Sequence, residues 1–423
     1  MVGSRRSPKP GRTGETRGFA TALGLALGPA VALGLARFAY ALLLPAMRAS
    51  LHWTFFIAGA MNAANALGYL AGALLVARIA RRLGIRRSFL GGLAVTVATL
   101  LATGGSRDVF VLLFLRTIAG VSGAVSFVAG AGLVAELARH GTQRRAASLL
   151  GIYFAGGGAG IVVSGLAIPW LLDATGAADG WQWGWVMLAG MGALALGVST
   201  RASRETQEPR MTASAEKRWP AKRFSALLVA YTLFGAGYIA YMTFIIAYLE
   251  SQGAGASEIT WFWVILGCAA ILGAFAWARP IASLAGGRGP AAVLAVLSVG
   301  ALLPLIFNAE LAAIGSAILF GGSFLSVVTA MTAVARRSLA PHHWTPAIAT
   351  LTVAFALGQS IGPLLSGALS DGRSGLVVGL GLSAGVLVVA AFVALAQRSQ
   401  EIPTMGASSA NWVADASPLA EPS

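Results

Sequence analysis

Long apolar runs alternate with short polar breaks along almost the whole chain. Nearly uncharged runs fall near 20–46, 54–77, 88–105, 109–135, 147–172, 182–199, 224–249, 259–278, 290–308, 311–335, 346–370 and 375–397. A run of about 17–25 apolar residues spans roughly 30 Å of hydrocarbon as an α-helix, so the pattern predicts twelve transmembrane helices. The first run follows five basic residues within Met1–Gly18, an arrangement that mimics a signal peptide. It is too long for a signal h-region and leads into further spans, which predicts an uncleaved first helix.

The polar breaks set the orientation. With the N-terminus inside, 25 of the Lys and Arg residues fall on the inner side and only Arg48, Arg107 and Arg373 on the outer side. Arg37 and Arg116 lie within spans. Positive charge is retained on the cytoplasmic side, so both termini are expected there. The longest polar break, Arg201 to Arg223, has six spans on either side and reads as a linker. The expected organisation is a cytoplasmic tail at 1–19, a six-helix bundle at 20–200, a cytoplasmic linker at 201–222, a second bundle at 223–398 and a disordered tail at 399–423. Weak echoes relate the halves. Gly160-xxx-Ser164-Gly165 recurs as Gly362-xxx-Ser366-Gly367, and Leu67-Gly68 as Leu272-Gly273, with Gly84 and Gly289 at the same offset as that second pair. The expected fold class is an all-α polytopic membrane protein of two pseudo-symmetric six-helix bundles, with a site near the midplane between them.

Composition removes the alternatives. The 423 residues are 57% hydrophobic and 11% charged, against about 25% charged in a soluble domain. A net charge of +15 would point a soluble protein toward nucleic acid. Here the arginines sit in the breaks and form no stripe along one helix, so no nucleic-acid partner is expected. The single cysteine, Cys268, rules out a disulfide framework and a Cys-based zinc site. Lys9, Lys217 and Lys222 are the only lysines and none follows a phosphate-loop pattern. His52, His140, His342 and His343 all fall in breaks. We therefore expect no enzymatic activity, no metal and no cofactor. The expected partners are the lipid bilayer and a small-molecule solute, with a monomer as the working unit.

Arg37 and Arg116 are the sharpest chemical features. An arginine at a helix centre costs about 2.5–3.5 kcal/mol on insertion scales, so it faces a cavity or a partner. Arg37 precedes Met47 by ten residues and Arg116 follows Val109 by seven, so a 1.5 Å rise puts both about 10–15 Å below the outer surface. The competing reading is a helix clamp, in which each guanidinium snorkels or bonds backbone carbonyls. In span 2, Asn62, Asn65 and Tyr69 share one helical face, either toward solute or as interhelical hydrogen bonds. Ala64, Gly68 and Gly72 on an adjoining face read as close packing. Tyr231, Tyr238 and Tyr241 form a stripe in span 7, with Gly235 and Gly237 beside it to allow bending. Such stripes serve packing as well as binding. Gln359 and Ser360 precede Gly362-Pro363, where the proline frees a carbonyl and is expected to kink span 11. Trp181, Trp183 and Trp185 sit at the outer end of span 6, as interfacial anchors do.

Several of these segments together resemble the major facilitator superfamily over residues 20–398. Arg116-xxx-Gly120-xx-Gly123-Ala124 is similar to its span-4 arginine motif, and Gly156-Gly157-Gly158-Ala159-Gly160 to its glycine-rich fifth span without the usual Gly-Pro pair. Arg81-Arg82-Leu83-Gly84-Ile85-Arg86-Arg87 resembles its loop motif between spans 2 and 3, with Arg81 where an aspartate is usual. Ala36-Arg37-Phe38-Ala39-Tyr40, Leu43-Leu44-Pro45-Ala46-Met47, Asn62-xx-Asn65-xx-Gly68-Tyr69 and Gly358-Gln359-xx-Gly362-Pro363 resemble the bacterial YbfB/YjiJ-type branch. The resemblance implies a secondary transporter of the bacterial inner membrane that works by alternating access. The candidate substrate contacts, read from the residues themselves, are Arg37, Tyr40, Asn62, Asn65, Tyr69, Arg116, Tyr231, Tyr238, Tyr241 and Gln359. Conformational roles are implied for Arg81, Gly84, Arg86, Gly157, Gly160, Gly362 and Pro363.

Two buried cations without a matching acid point to an organic anion as solute. A multidrug-type exporter with an aromatic cavity and a non-transporting sensor on the same fold are the competing readings. All fifteen acids fall near span ends or beyond them, so no Asp, Glu or His is expected at mid-depth. Topology gives the first prediction. Reporter fusions after Arg201 and Gln397 should score cytoplasmic, and fusions near Asp108 or Asp179 periplasmic; a periplasmic linker would end the twelve-span scheme.

Overall fold

The computed structural model describes residues 12–139, 142–208, 219–307, 309–373 and 375–399, with backbone only at 12–16 and 177–179. The tail expected at 399–423 and the middle of the linker therefore lie outside the described residues, Ser399 excepted. Among the described residues, twelve helices are long and apolar enough to cross a membrane. The first half holds α1 (Arg17–Leu51), α2 (Phe55–Leu83), α3 (Ile85–Gly104), α4 (Val109–Ala138), α5 (Gln143–Thr175) and α6 (Ala177–Arg204). The second holds α7 (Ser225–Ser251), α8 (Ala256–Ala276), α9 (Arg288–Ile306), α10 (Glu310–Ser338), α11 (Trp344–Ser370) and α12 (Gly375–Leu395). No strand occurs among the described residues.

Several helices outrun their hydrophobic cores. α2 continues past Arg78 and Arg81 to Leu83, and α5 starts four residues before its predicted run. Hydropathy stops at the first charges, whereas the backbone ladder continues into the polar zone until a cap or a glycine ends it. Thr54, Asp108 and Thr142 cap α2, α4 and α5 by accepting from backbone amides, Asp108 at 2.9 Å from both Phe110 N and Val111 N. Gly84, with φ +86°, closes α2 and opens α3 in a conformation that L side chains avoid.

Packing makes the internal duplication physical. In the first half Gly156 and Gly160 of α5 seat against the carbonyls of Ala26 and Ala30 in α1. In the second half Gly358 and Gly362 of α11 seat against Thr232 and Ala236 in α7, at corresponding positions. Gly68 meets the Thr117 carbonyl in α4, and Gly273 meets the Gly322 carbonyl in α10. The echo also marks where the halves meet. Gly165 of α5 packs on Trp263 of α8, and its counterpart Gly367 of α11 packs on Phe55 and Phe56 of α2. One echo fails: Gly84 forms a turn, whereas Gly289 lies inside α9. Gly157 and Gly160 face α1 of their own half, and it is Gly158 that touches Gly267 and Ile271 of the other. Gly235 and Gly237 likewise serve close approach, to α11 and α12, within an α7 that stays continuous. Pro363 sits inside an unbroken α11, with its carbonyl against Gly59.

Adding bulk at the paired seats therefore tests the duplication. Gly68→Leu and Gly273→Leu should each destabilise by at least about 1–3 kcal/mol, the cost of overpacking. Gly381→Leu, where nothing lies within 4 Å, should leave the melting temperature near wild type.

Candidate functional site

The symmetry breaks in the middle of α1. From Ala30 to Phe38 the helix widens into a π-helical segment, with Ala39 N donating to Gly34 O at 2.9 Å. The widened turn coincides with the contact between Gly34 and Gly160 of α5. Extended π segments are rare and concentrate at functional sites. This one carries Arg37 and presents the carbonyl of Ala36 to Arg116 of α4.

Both guanidiniums are buried, 4% exposed at Arg37 and 2% at Arg116, so neither snorkels. Their engagements differ. Arg116 donates from Nη1 to Ala36 O at 2.5 Å and from Nη2 to Asn62 Oδ1 at 3.2 Å. Its guanidinium carbon lies 4.9 Å from the Tyr40 ring centroid and 5.6 Å from that of Trp185. Tyr40 and Trp185 stack at 6.5 Å, and Tyr40 is fixed by donating its hydroxyl to Ala58 O at 2.8 Å. Cation–π contacts of this kind reach about 2 kcal/mol when desolvated. Arg37 makes a single hydrogen bond among the described residues, from Nη2 to Gln359 Oε1 of α11. Its other contact is the Tyr69 ring, 5.4 Å from the guanidinium carbon. No carboxylate touches either arginine among the described residues.

Two polar chains cross from one half to the other here. Arg37 reaches Gln359, whose Nε2 donates to the Tyr238 hydroxyl of α7 at 3.0 Å. Asn62 reaches Thr243 of α7, donating from Nδ2 at 2.6 Å. Thr243 spends its own proton on Ile239 O, so its oxygen must accept, which orients the Asn62 amide unambiguously. Asn65 stays within the first half and donates to the Arg116 carbonyl at 3.1 Å. Toward the face opposite the linker, the halves meet again. Asp371 of α11 accepts from Phe55 N and Phe56 N at 2.6 and 3.0 Å, and Trp263 of α8 donates to Ser164 of α5 at 3.3 Å.

The predicted residues divide accordingly. Arg37, Tyr69, Tyr238 and Gln359 converge, and Arg116, Tyr40, Asn62 and Asn65 form the adjoining group. Tyr231 joins through a row of stacked rings with Phe234 and Phe355. Tyr241 turns away: its hydroxyl bonds Ser316 and its ring stacks on Phe320 of α10 at 4.1 Å. The interfacial reading fails for Trp181 and Trp185, which are fully buried, and fits only Trp183. Trp185 was hidden by its position near a helix end; its real signal is the cationic span that it packs against. Thr243, Phe324 and Phe355 were also missed, being ordinary residues in apolar helices. At the turn from α2 into α3, Arg86 in the first turn of α3 does the anchoring: its backbone N donates to Glu208 at 3.1 Å and its side chain to the Thr206 carbonyl, while Arg81 at the end of α2 is exposed. Acids of the described chain stay near helix ends. Glu136 pairs with Arg139 at 3.1 Å, and Glu250 shares a recess of about 510 Å³ with Asp173 on the face opposite the linker.

Two six-helix halves with a buried polar seam between them define a membrane transporter of the major facilitator type, and solved structures of such transporters share the fold. A bacterial homolog of the human lysosomal transporter Spinster, in an inward-facing and occupied conformation, superposes with a TM-score of 0.73 at 16% identity, over 92% of this chain and 97% of that one. The nucleoside transporter NupG, solved as a point mutant, gives 0.72 at 13% identity, over 89% and 99%. The chain belongs to the family described as "Uncharacterised MFS-type transporter YbfB", which matches residues 29–395. No curated protein matches it.

Asn62 is the testable joint of the seam. Asn62→Leu removes an acceptor from a buried guanidinium and the donor to Thr243, so it should lower stability by about 1–3 kcal/mol. Asn62→Ser, which keeps a small polar group, should lose less; equal melting temperatures for all three proteins would contradict the relay.

Proposed function

We propose that this transporter moves a small organic anion and that Arg37 is its charged ligand. The observation that carries the reading is the unequal engagement of two buried cations at the seam. Arg116 holds a backbone carbonyl, an amide oxygen and two rings, so both of its terminal nitrogens are engaged and, among the described residues, only its buried Nε has no partner. Arg37 holds one neutral amide oxygen and keeps unused donors. A carboxylate would replace that amide with a full negative charge and a bidentate geometry, neither of which Gln359 offers the guanidinium. The aromatic row also favours a second reading, export of greasy compounds. Two guanidiniums within the seam repel the lipophilic cations that such a row would otherwise attract.

Transport then follows by alternating access. The halves rock about the seam, and the bonds from Arg37 to Gln359 and from Asn62 to Thr243 break and re-form as the site changes sides. The linker face is the cytoplasmic one, as the arginine distribution requires, and the monomer is the working unit in the bacterial inner membrane. With the described acids confined to helix ends, coupling runs through the substrate's own charge, by anion exchange or by entry of the anion with its proton.

Two measurements check this reading. Arg37→Ala should abolish carboxylate binding at near-normal expression, and Arg37→Lys should restore it only in part, because an ammonium lacks the bidentate geometry. Equal binding by wild type and Arg37→Ala would leave Arg37 a structural role. Substrate-induced pH change in proteoliposomes should persist in Glu136→Gln and Glu250→Gln. Proton flux driven by a permanently neutral or cationic substrate, and lost in either variant, would favour the exporter.

A further inference from the structure

The side chains of α11 that fill the seam are themselves a pattern for a ligand. Phe355 and Gln359 are four residues apart and share a helical face. Gln359 offers Arg37 an amide oxygen, the neutral counterpart of a carboxylate oxygen. Phe355 lays its ring on a row of nearly parallel rings from α7: 4.7 Å from Tyr231, 5.5 Å from Phe234 and 5.6 Å from Tyr238, all within 13° of parallel. The row continues from Tyr238 to Phe324 of α10 at 6.1 Å and 18°. Phe38, next to Arg37, meets Phe324 edge-on at 5.7 Å, and the row itself runs on to Phe320 at 6.0 Å and 19°. Phe355 is only half-buried, whereas Tyr231, Phe234 and Tyr238 beneath it are buried. It covers the row like the outermost ring of a stack.

We propose that the site takes an aryl-substituted monocarboxylate, with Gln359 and Phe355 standing in for its carboxylate and its ring. This rests on the reading of Arg37 as the anion ligand. Parallel ring faces select a flat ring over a puckered or branched one, because only a flat face keeps contact along the row. One uncommitted guanidinium selects a single negative charge: a second carboxylate would lie against rings with no cation to meet it. Residues at i and i+4 have Cβ atoms about 5–6 Å apart, which sets the ring-to-carboxylate reach at that of an arylacetate or a 3-arylpropanoate. When the ligand enters, Gln359 and Phe355 leave together, so both ends of the ligand unseat the same helix. That ties occupancy to movement of α11 against α1 and α7.

The test is a binding series on the purified full-length chain, read by equilibrium titration. The probes are 3-phenylpropanoate, 3-cyclohexylpropanoate, hexanoate, phenylsuccinate and 2-phenylethylamine. The expected order places 3-phenylpropanoate about tenfold tighter than the cyclohexyl and hexyl anions, on the scale of one or two ring contacts, and tighter than the dianion. In Phe324→Leu, which spares Arg37 and the stand-in residues, the preference for phenyl over cyclohexyl should shrink. Equal binding of the phenyl and cyclohexyl acids would overturn the aryl assignment and leave the anion reading intact. Binding of the amine with none of the carboxylates would overturn both.

Discussion

Two guanidiniums buried where a pair of helical bundles meet set the terms for the rest of this molecule. Arginine keeps its charge at any accessible pH, so the surrounding helices must supply the polar groups that hydrocarbon cannot. Most of the unusual local features of the first half follow from that need. The π-helical turn of α1 offers the Ala36 carbonyl to Arg116, and α2 turns an asparagine inward to share the load. Tyr40 and Trp185 give the same cation two ring faces. The second half answers with neutral partners, Gln359 and Thr243, so the charges belong to one half and their cross-links to the other. A seam crossed by hydrogen bonds to neutral partners, with no ion pair across it among the described residues, would let the proposed rocking part the halves at lower cost.

The duplicated scaffold and the unduplicated site sit on the same helices. Corresponding glycines on α5 and α11 press those helices onto α1 and α7, and corresponding glycines carry α5 onto α8 and α11 onto α2. These seats repeat because they depend only on backbone approach. The chemistry does not repeat: Arg37 and the π segment exist in α1, while α7 carries tyrosines and a continuous helix instead. That asymmetry gives the proposed site its charged wall and its aromatic wall.

Much of the scaffold was legible in the chain. Twelve helices follow from apolar length, and the echo Gly160-xxx-Ser164-Gly165 against Gly362-xxx-Ser366-Gly367 pointed to real packing partners. Arg37 and Arg116 were legible because charge inside an apolar run is conspicuous. Their partners were less so. Gln359 and Asn62 stood out as polar, but Thr243, Trp185 and Phe355 look like ordinary residues of apolar helices, and only the crossing of helices gives them a role. Tyr241 misled for the converse reason: three residues beyond Tyr238 on one helical face, it nevertheless turns toward Ser316. Periodicity fixes a face, but the neighbour on that face comes from tertiary packing.

The central claim is the division of labour between the two arginines, and the position of a bound carboxylate tests it most directly. An experimental structure of the complex with an organic acid would locate it. The account predicts carboxylate oxygens within hydrogen-bonding distance of Arg37, Gln359 turned away, and Arg116 still holding Asn62 and the Ala36 carbonyl. A carboxylate seated on Arg116, or one bound elsewhere with the Arg37–Gln359 bond intact, would contradict it.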